Sequence, residues 1–349
     1  PEPTATTPPE PSPSATQVPP TPTPVPTSAA ETPTPEPAKR PATKPTTTPE
    51  LTGKLVFQTT VGGDFYVIDV GGDEKGKHDL RRITDGIDPI WSPDGQQIAF
   101  TRWREPRGVW VVSDTGEHRM FDWVESRWPS WSPDGEQILF TRQHGGKEDK
   151  DICFRGRCFT IPAQPYWKLG IVDAGDGTFA EPPGPDIAQA PSWSPDGEWI
   201  VYAGEKGLVV QDLAGENPTQ ITDATRDTGP VWSPNGKQVA FTRSQHDHWE
   251  VYVLTYPDGP HAGGGNLTRL TETPDRPDGQ PGNSAAPAWS PDGKYLAFLT
   301  DRTGKWEIWV TAAPGNAAGG GTRPMFASEL EGLTLEYSFG GERALSWTQ

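Results

Sequence analysis

The pentapeptide Trp-Ser-Pro-Asp-Gly begins at Trp91, Trp131, Trp193 and Trp289, and a fifth copy, with Asn in place of Asp, begins at Trp232. A fixed internal period means one supersecondary unit stacked many times, so these copies constrain the fold before any other feature does. The tryptophans are 40, 62, 39 and 57 residues apart, which makes the unit about 40 residues long and the longer intervals insertions into it. Short apolar runs follow each copy, beginning at Ile98, Ile138, Ile200, Val239 and Leu296. A second run follows, as at Val109, Val251 and Ile308, and a third, as at Ile83, Ile221 and Leu270, precedes the next tryptophan. Such runs, β-branched or aromatic and bounded by Gly, Pro and Asp, read as strands.

Each unit is therefore a four-stranded antiparallel meander, and one meander alone leaves an apolar face uncovered. Stacked neighbours solve this as the blades of a propeller. Counting the second strand from Leu55 onward gives six blades. The expected fold is all-β: a six-bladed β-propeller of four-stranded antiparallel blades over residues 51–349, closed by the C-terminal strand and preceded by an extended arm, residues 1–50. Two registers compete for the closure. Glu336-Tyr-Ser-Phe-Gly-Gly reads as a degenerate motif, with Tyr337 in the inner strand and the last residues as an added edge; Ala344-Leu-Ser-Trp-Thr is the other closing strand. The favoured reading puts Tyr337 in the inner strand.

The five motif copies with their following apolar runs resemble the TolB-like propeller repeats, of PD40 type and related in shape to WD40, from residue 54 to the end. The resemblance implies the propeller fold. It implies little about activity, because the same repeat occurs in binding proteins, peptidase propellers and some lyases.

In each motif Ser, Pro, Asp and Gly take positions i to i+3 of a type I turn: Pro presets φ, Asp tolerates the bridge region and Gly closes the turn. Trp91, Trp131, Trp193, Trp232 and Trp289 are placed to pack between adjacent blades. Asn235 keeps the turn and drops the charge. The motif is thus a structural blade turn, in preference to a ring of Asp94, Asp134, Asp196 and Asp292 gathering cations.

Residues 1–50 hold 17 of the 41 prolines and 13 threonines, with no aromatic residue and no Leu, Ile or Phe. That composition cannot offset the entropy of ordering a core and favours extended polyproline II. Its threonines, Thr4, Thr6, Thr7, Thr16, Thr21, Thr23, Thr27, Thr32, Thr34, Thr43, Thr46, Thr47 and Thr48, are candidate O-glycosylation sites of a linker or stalk. The chain begins at Pro1, which reads as a processed or partial form with any signal peptide removed. Net charge is −17, of which the arm carries only −2, so the acidic propeller argues against nucleic acid or an anionic membrane as partner. No apolar run is long enough to cross a bilayer.

Nothing in the sequence signals catalysis. There is no G-x-S-x-G, no phosphate loop, and no pair of acids singled out for glycoside chemistry. The six histidines are scattered except for His246-Asp247-His248, read as a solvated loop rather than a metal site. No cofactor, metal site or catalytic residue is expected. The informative parts are insertions on one face: Gln143 to Pro165, with Cys153 and Cys158 expected as a local disulfide, and Glu272 to Pro287. Arg155, Arg157, Asp275 and Arg276 are the candidate contact residues there. The function expected is a non-enzymatic extracellular or cell-surface protein whose partner is protein, copies of itself through the glycan-bearing arm, with a head-to-tail filament as one outcome. The alternatives are a tethered monomeric TolB-like binding module of the bacterial envelope, with a periplasmic location, and third a carbohydrate- or peptide-acting enzyme.

Overall fold

A computed structural model describes residues 51–349 apart from 124, 147–149, 155–156, 162–164, 257–258, 260–264, 317–320 and 339–340, and the backbone alone at 146, 150–154, 157–161 and 165. The described residues form strands and turns with no helix.

Blade 1 has β1 (Lys54–Gln58), β2 (Asp64–Asp69) and β3 (Leu80–Asp85) as its second to fourth strands. Blade 2 is β4 (Ile87–Trp91), β5 (Ile98–Arg102), β6 (Gly108–Ser113) and β7 (Gly116–Phe121). Blade 3 is β8 (Ser126–Trp131), β9 (Gln137–Gly146), β12 (Pro165–Asp173) and β13 (Phe179–Ala180), with an inserted hairpin of β10 (Lys150–Phe154) and β11 (Arg157–Ile161). Blade 4 is β14 (Gln189–Trp193), β15 (Trp199–Gly204), β16 (Gly207–Asp212) and β17 (Thr219–Gln220). Blade 5 is β18 (Asp227–Trp232), β19 (Gln238–Ser244), β20 (Trp249–Thr255) and β21 (Asn266–Arg269). Blade 6 is β22 (Ser284–Trp289), β23 (Tyr295–Thr300), β24 (Glu307–Ala312) and β25 (Arg323–Pro324), and β26 (Leu345–Thr348) returns as the inner strand of blade 1. The six blades match the expected count.

The repeated turn forms as its residues dictate. The amide of Gly95 donates to the carbonyl of Ser92 at 2.9 Å, and the same bond recurs at Gly135, Gly197, Gly236 and Gly293. The Ser hydroxyl donates to the Asp or Asn side chain two residues on and accepts the amide five residues on, as Ser92 does with Asp94 and Gln97. Asn235 serves Ser233 in the same way, so the charge is dispensable to the turn. These turns lie on one face, the turn face. The loops between second and third strands and the connections between blades lie on the other, the loop face.

One regularity lies just before the motif. The ladder shifts in the inner strands of blades 2 to 6, and the third residue before each tryptophan (Asp88, Trp128, Ala190, Gly229, Ala286) has φ between 49° and 60°. A proline follows each of them and has no N–H to leave unpaired at the bulge. Among the described residues the core sits between blades, in six apolar clusters that each join two neighbours, such as Val56, Phe65 and Val67 of blade 1 with Ile98 and Phe100 of blade 2.

Closure differs from the favoured reading. The inner strand of blade 1 is Leu345–Thr348, paired antiparallel with Lys54–Phe57. Ser346 Oγ accepts the Trp91 amide at 3.1 Å, as Ser130 does for Trp193, so Trp347 occupies the sixth motif position. Tyr337 instead lies in the β25–β26 connection, 5% exposed, its ring centroid 5.8 Å from Trp249 and 5.4 Å from Trp306. The reason is space: β1 has room for one inner neighbour, and the pairing of Leu345–Thr348 buries Leu345 and Trp347.

The same connection fills the middle of the ring with charge. Asp88, fully buried, accepts Arg127 Nε at 2.7 Å and Nη2 at 3.2 Å, the Trp128 amide at 3.2 Å and the Arg343 amide at 2.9 Å. The Arg343 guanidinium donates to the carbonyls of Pro129 at 2.5 Å and Pro191 at 2.9 Å. Burial pulls its pKa down to about 10, opposed by the Asp88 charge.

Candidate binding face

Loops on a rigid scaffold carry recognition, and the loop face holds the longest ones. Among the described residues its two exposed large aromatics are Trp103, in the β5–β6 loop and 42% exposed, and Trp123, in the β7–β8 connection and 38% exposed. Neither ring is loose. Trp103 Nε1 donates to the Ser126 carbonyl at 3.3 Å, and Trp123 Nε1 donates to the Gln143 carbonyl at 2.9 Å. Each lies against an arginine: Arg127 is 4.9 Å from the Trp103 ring centroid and Arg142 is 4.5 Å from that of Trp123. Arg127 is held in turn by Asp88, and Arg142 by Glu181. The Arg142 hydrogen bond is the main reason the Glu181 carboxyl sits below the usual range. His144 stacks on Trp123, 6.5 Å between centroids.

Beside Trp103 lies a hollow of about 400 Å³ between blades 1 and 2, bounded by Gly62, Asp85, Ile87, Arg102, Arg104 and Glu105. Arg102 forms its inner wall, fixed by Glu117 at 2.9 Å and by the Thr84 hydroxyl at 2.8 Å. Large rings held by carbonyls and guanidinium planes have little conformational freedom to lose on contact. Trp and Arg in that state are the residue types that dominate binding energy at protein interfaces.

The other sequence candidates fall as follows. Asp275 is exposed on the loop face. Arg276 is committed: it pairs with Asp278 at 2.6 Å and with Asp301 at 3.1 Å, tying its loop to blade 6. The start of that loop is fixed to the fully buried Glu250, which accepts the Thr273 amide at 2.8 Å and pairs with Arg269 at 2.8 Å. The insertion from Glu272 is therefore built into the face. Cys153 stands opposite Cys158 in the β10–β11 ladder, a position suited to a cross-strand bridge, but their side chains lie outside the described residues. Arg155, the Arg157 side chain and the thirteen arm threonines also lie outside them.

His248 pairs with Asp247 at 2.7 Å, and no group of three metal-ligating side chains occurs among the described residues. Trp91 is half-buried and the other four motif tryptophans are buried; Trp131 and Trp289 donate to the preceding blade through the Ile90 and Val231 carbonyls. Sequence reasoning missed Trp103 and Trp123. Neither belongs to the repeat, and the only sign of Trp103 is its setting among charges, Arg102-Trp-Arg-Glu.

A family model described as TolB beta propeller domain matches residues 169–323. An uncharacterized protein of Agrobacterium fabrum is 24% identical over 181 residues, 38% of this chain and 57% of that protein. A TolB homolog of Chlorobium chlorochromatii is 28% identical over 120 residues, 33% of this chain and 24% of that protein. The chain thus spans about half of the first relative's length and a quarter of the second's. Among solved structures, TolB from Acinetobacter baumannii superposes with a TM-score of 0.59 at 16% identity, covering 86% of this chain and 67% of that one.

Proposed function

Starting from a TolB-like propeller, we propose that the chain is a non-enzymatic protein-binding module of a bacterial envelope, tethered through residues 1–50, and that it works in the periplasm. The observation that carries this reading is the pair of exposed, arginine-braced tryptophans on the loop face. A curated relative bearing the name Tol-Pal system protein TolB, from Anaeromyxobacter dehalogenans, supports the envelope setting. The comparisons favour this module over a self-assembling extracellular protein as the principal reading. In it, Trp103 and Trp123 are the anchors and the hollow beside Trp103 receives a partner side chain. The β10–β11 hairpin and the Glu272 loop form the rim. The Cys153–Cys158 bridge stiffens the hairpin, and the arm threonines carry glycans.

The test is cross-linking of the full chain in its native envelope, as wild type and as Trp103→Ala/Trp123→Ala. The double variant keeps the wild-type melting temperature to within a few degrees and loses the cross-linked partner. An unchanged set of partners in a folded double variant counts against the face.

A further inference from the structure

In four blades the second strand runs into an arginine at the loop face: Arg102, Arg142, Arg243 and, two residues past the end of β23, Arg302. Each guanidinium lies on aromatic rings. Arg102 is 4.9 Å from the Phe100 centroid and 5.0 Å from that of Trp110. Arg243 is 5.5 Å from Phe241 and 4.9 Å from Tyr252, and Arg302 is 5.7 Å from Phe298 and 4.4 Å from Trp309. In all three blades the two rings face each other across the same pair of strands, so these guanidiniums share one repeated seat. Arg142 has its own version of it, on Trp123 and Phe179.

The counter-charge is what differs. Arg102 donates to Glu117 at 2.9 Å, Arg243 holds Asp227 through two bonds of 2.6 and 2.7 Å, and Arg142 holds Glu181. Arg302 makes one hydrogen bond, from Nε to Thr300 Oγ1 at 3.2 Å, and has no carboxylate partner among the described residues. Where the other three blades read Thr-Arg, blade 6 reads Thr300-Asp301-Arg302, and the extra acid is committed elsewhere. Asp301 is 3% exposed and accepts the Asn283 amide at 2.6 Å, the Asn283 side chain at 2.9 Å and Arg276 at 3.1 Å. Glu307 accepts Trp309 Nε1 at 3.1 Å and pairs with Lys305 at 3.5 Å, and the fully buried Glu250 pairs with Arg269. Burial accordingly pulls the Arg302 pKa down with only the Glu250 charge opposing it, whereas the Asp227 bond raises that of Arg243.

Arg302 is half-buried, and its two terminal nitrogens hold no hydrogen bond among the described residues. A guanidinium already seated on rings offers a planar fork that fits the two oxygens of a carboxylate, and it has little freedom left to lose. The three sister arginines each hold a carboxylate of this chain, which selects the same ligand class for the fourth. We infer that Arg302 takes a carboxylate from outside the chain, an acidic side chain of the protein that docks on the loop face, held as Arg243 holds Asp227. The inference rests on the reading of the loop face as the partner surface and adds a charged anchor on blade 6 to Trp103 and Trp123. A free carboxylate is the other source of the same chemistry.

The test uses the full chain with isotope-labelled arginine side chains, read by NMR. Acetate should shift the Arg302 Nε–H signal saturably and leave those of Arg102 and Arg243 in place, with chloride at matched ionic strength as the control. A blocked peptide with one glutamate should do the same, and its glutamine counterpart should need at least about tenfold more, the loss of a charge-assisted hydrogen bond. Arg302→Lys keeps the charge, loses the fork and should not bind like the parent. Cross-linking in the native envelope then reads the source. Arg302→Gln should keep the parent's melting temperature to within a few degrees and capture the partner at least about tenfold less. An Arg302 signal that ignores acetate, or answers chloride equally, overturns the site. An acetate response with full capture by Arg302→Gln makes a free carboxylate the ligand and overturns the partner side chain. If Trp103→Ala/Trp123→Ala loses the partner in that case, the loop-face reading stands and this inference alone fails; if it does not, both fail.

Discussion

Asp88 is the residue on which ring closure is most concentrated, and its replacement by Asn is the sharpest test of the packing argument. The exchange keeps the shape, and Asn tolerates the left-handed φ of 56° as well as Asp does. It changes one oxygen into a donor. Each Asp88 oxygen accepts two bonds: one takes Arg127 Nε and the Trp128 amide, the other takes Arg127 Nη2 and the Arg343 amide. Whichever way the amide turns, two donors face another donor. At about 1.5–3 kcal/mol for each bond to a charged group, the loss is ~3–6 kcal/mol. Removing one partner of a buried ion pair independently costs about 3–5 kcal/mol, so the two routes agree. Urea unfolding read by tryptophan emission measures it: the midpoint should fall with the slope unchanged. A loss below ~1 kcal/mol would refute the account, since it would mean that Arg127 and Arg343 are not desolvated against this carboxylate.

Deleting residues 345–349 removes the inner strand of blade 1 and should abolish the cooperative melt, whereas Tyr337→Phe, which loses only a 3.2 Å bond to the Glu342 carbonyl, should cost about 1 kcal/mol by the same assay. Gly229→Ala should cost no more than ~1 kcal/mol, because the equivalent residues in four other blades are not glycine, yet adopt the same φ. Gly108→Ala should cost more: its φ is 121° and an added Cβ would stand 1.9 Å from the Phe121 carbonyl oxygen. The turn aspartates make the propeller acid-sensitive. The Ser92 and Ser132 hydroxyls, followed by backbone amides, hold Asp94 and Asp134 below their ordinary value of 3.8. A carboxyl more acidic folded than unfolded contributes fully above the unfolded value, and that contribution fades as pH falls through the folded one. Asp94→Asn/Asp134→Asn should therefore lose less melting temperature than wild type between about pH 4 and about pH 2, with Asn235 already showing that the turn forms without charge.

The blades were legible because their information is written five times. Period, strand runs and turn chemistry agree at every copy, and even the Pro two residues before each tryptophan marks a bulge that can be seen in the sequence once its geometry is known. The sixth copy was not legible, because Ala344-Leu-Ser-Trp-Thr keeps the tryptophan and loses both the preceding proline and the turn after it. Tyr337 resembled the motif better by letters, while position in the ring was decided by the Ser346 hydroxyl and the β1 ladder. The arginine-braced tryptophans and the charge in the channel were illegible for the opposite reason. Each rests on residues used once, such as Asp88 with Arg343, which are 255 positions apart and have no local pattern to betray them.

The position of β26 has a consequence for the order of events in folding. Blade 1 joins strands from opposite ends of the propeller, with Leu55 opposite Trp347. A chain that emerges from its first residue onward can form the meanders of blades 2 to 6 as they appear, but blade 1 must wait with an open inner side until residues 345–348 arrive. Bringing such distant ends together carries a loop-closure cost that grows only logarithmically with length, so waiting is cheap in free energy and expensive in time. The propeller thus remains unlocked until residues 345–348 arrive and locks in that one step.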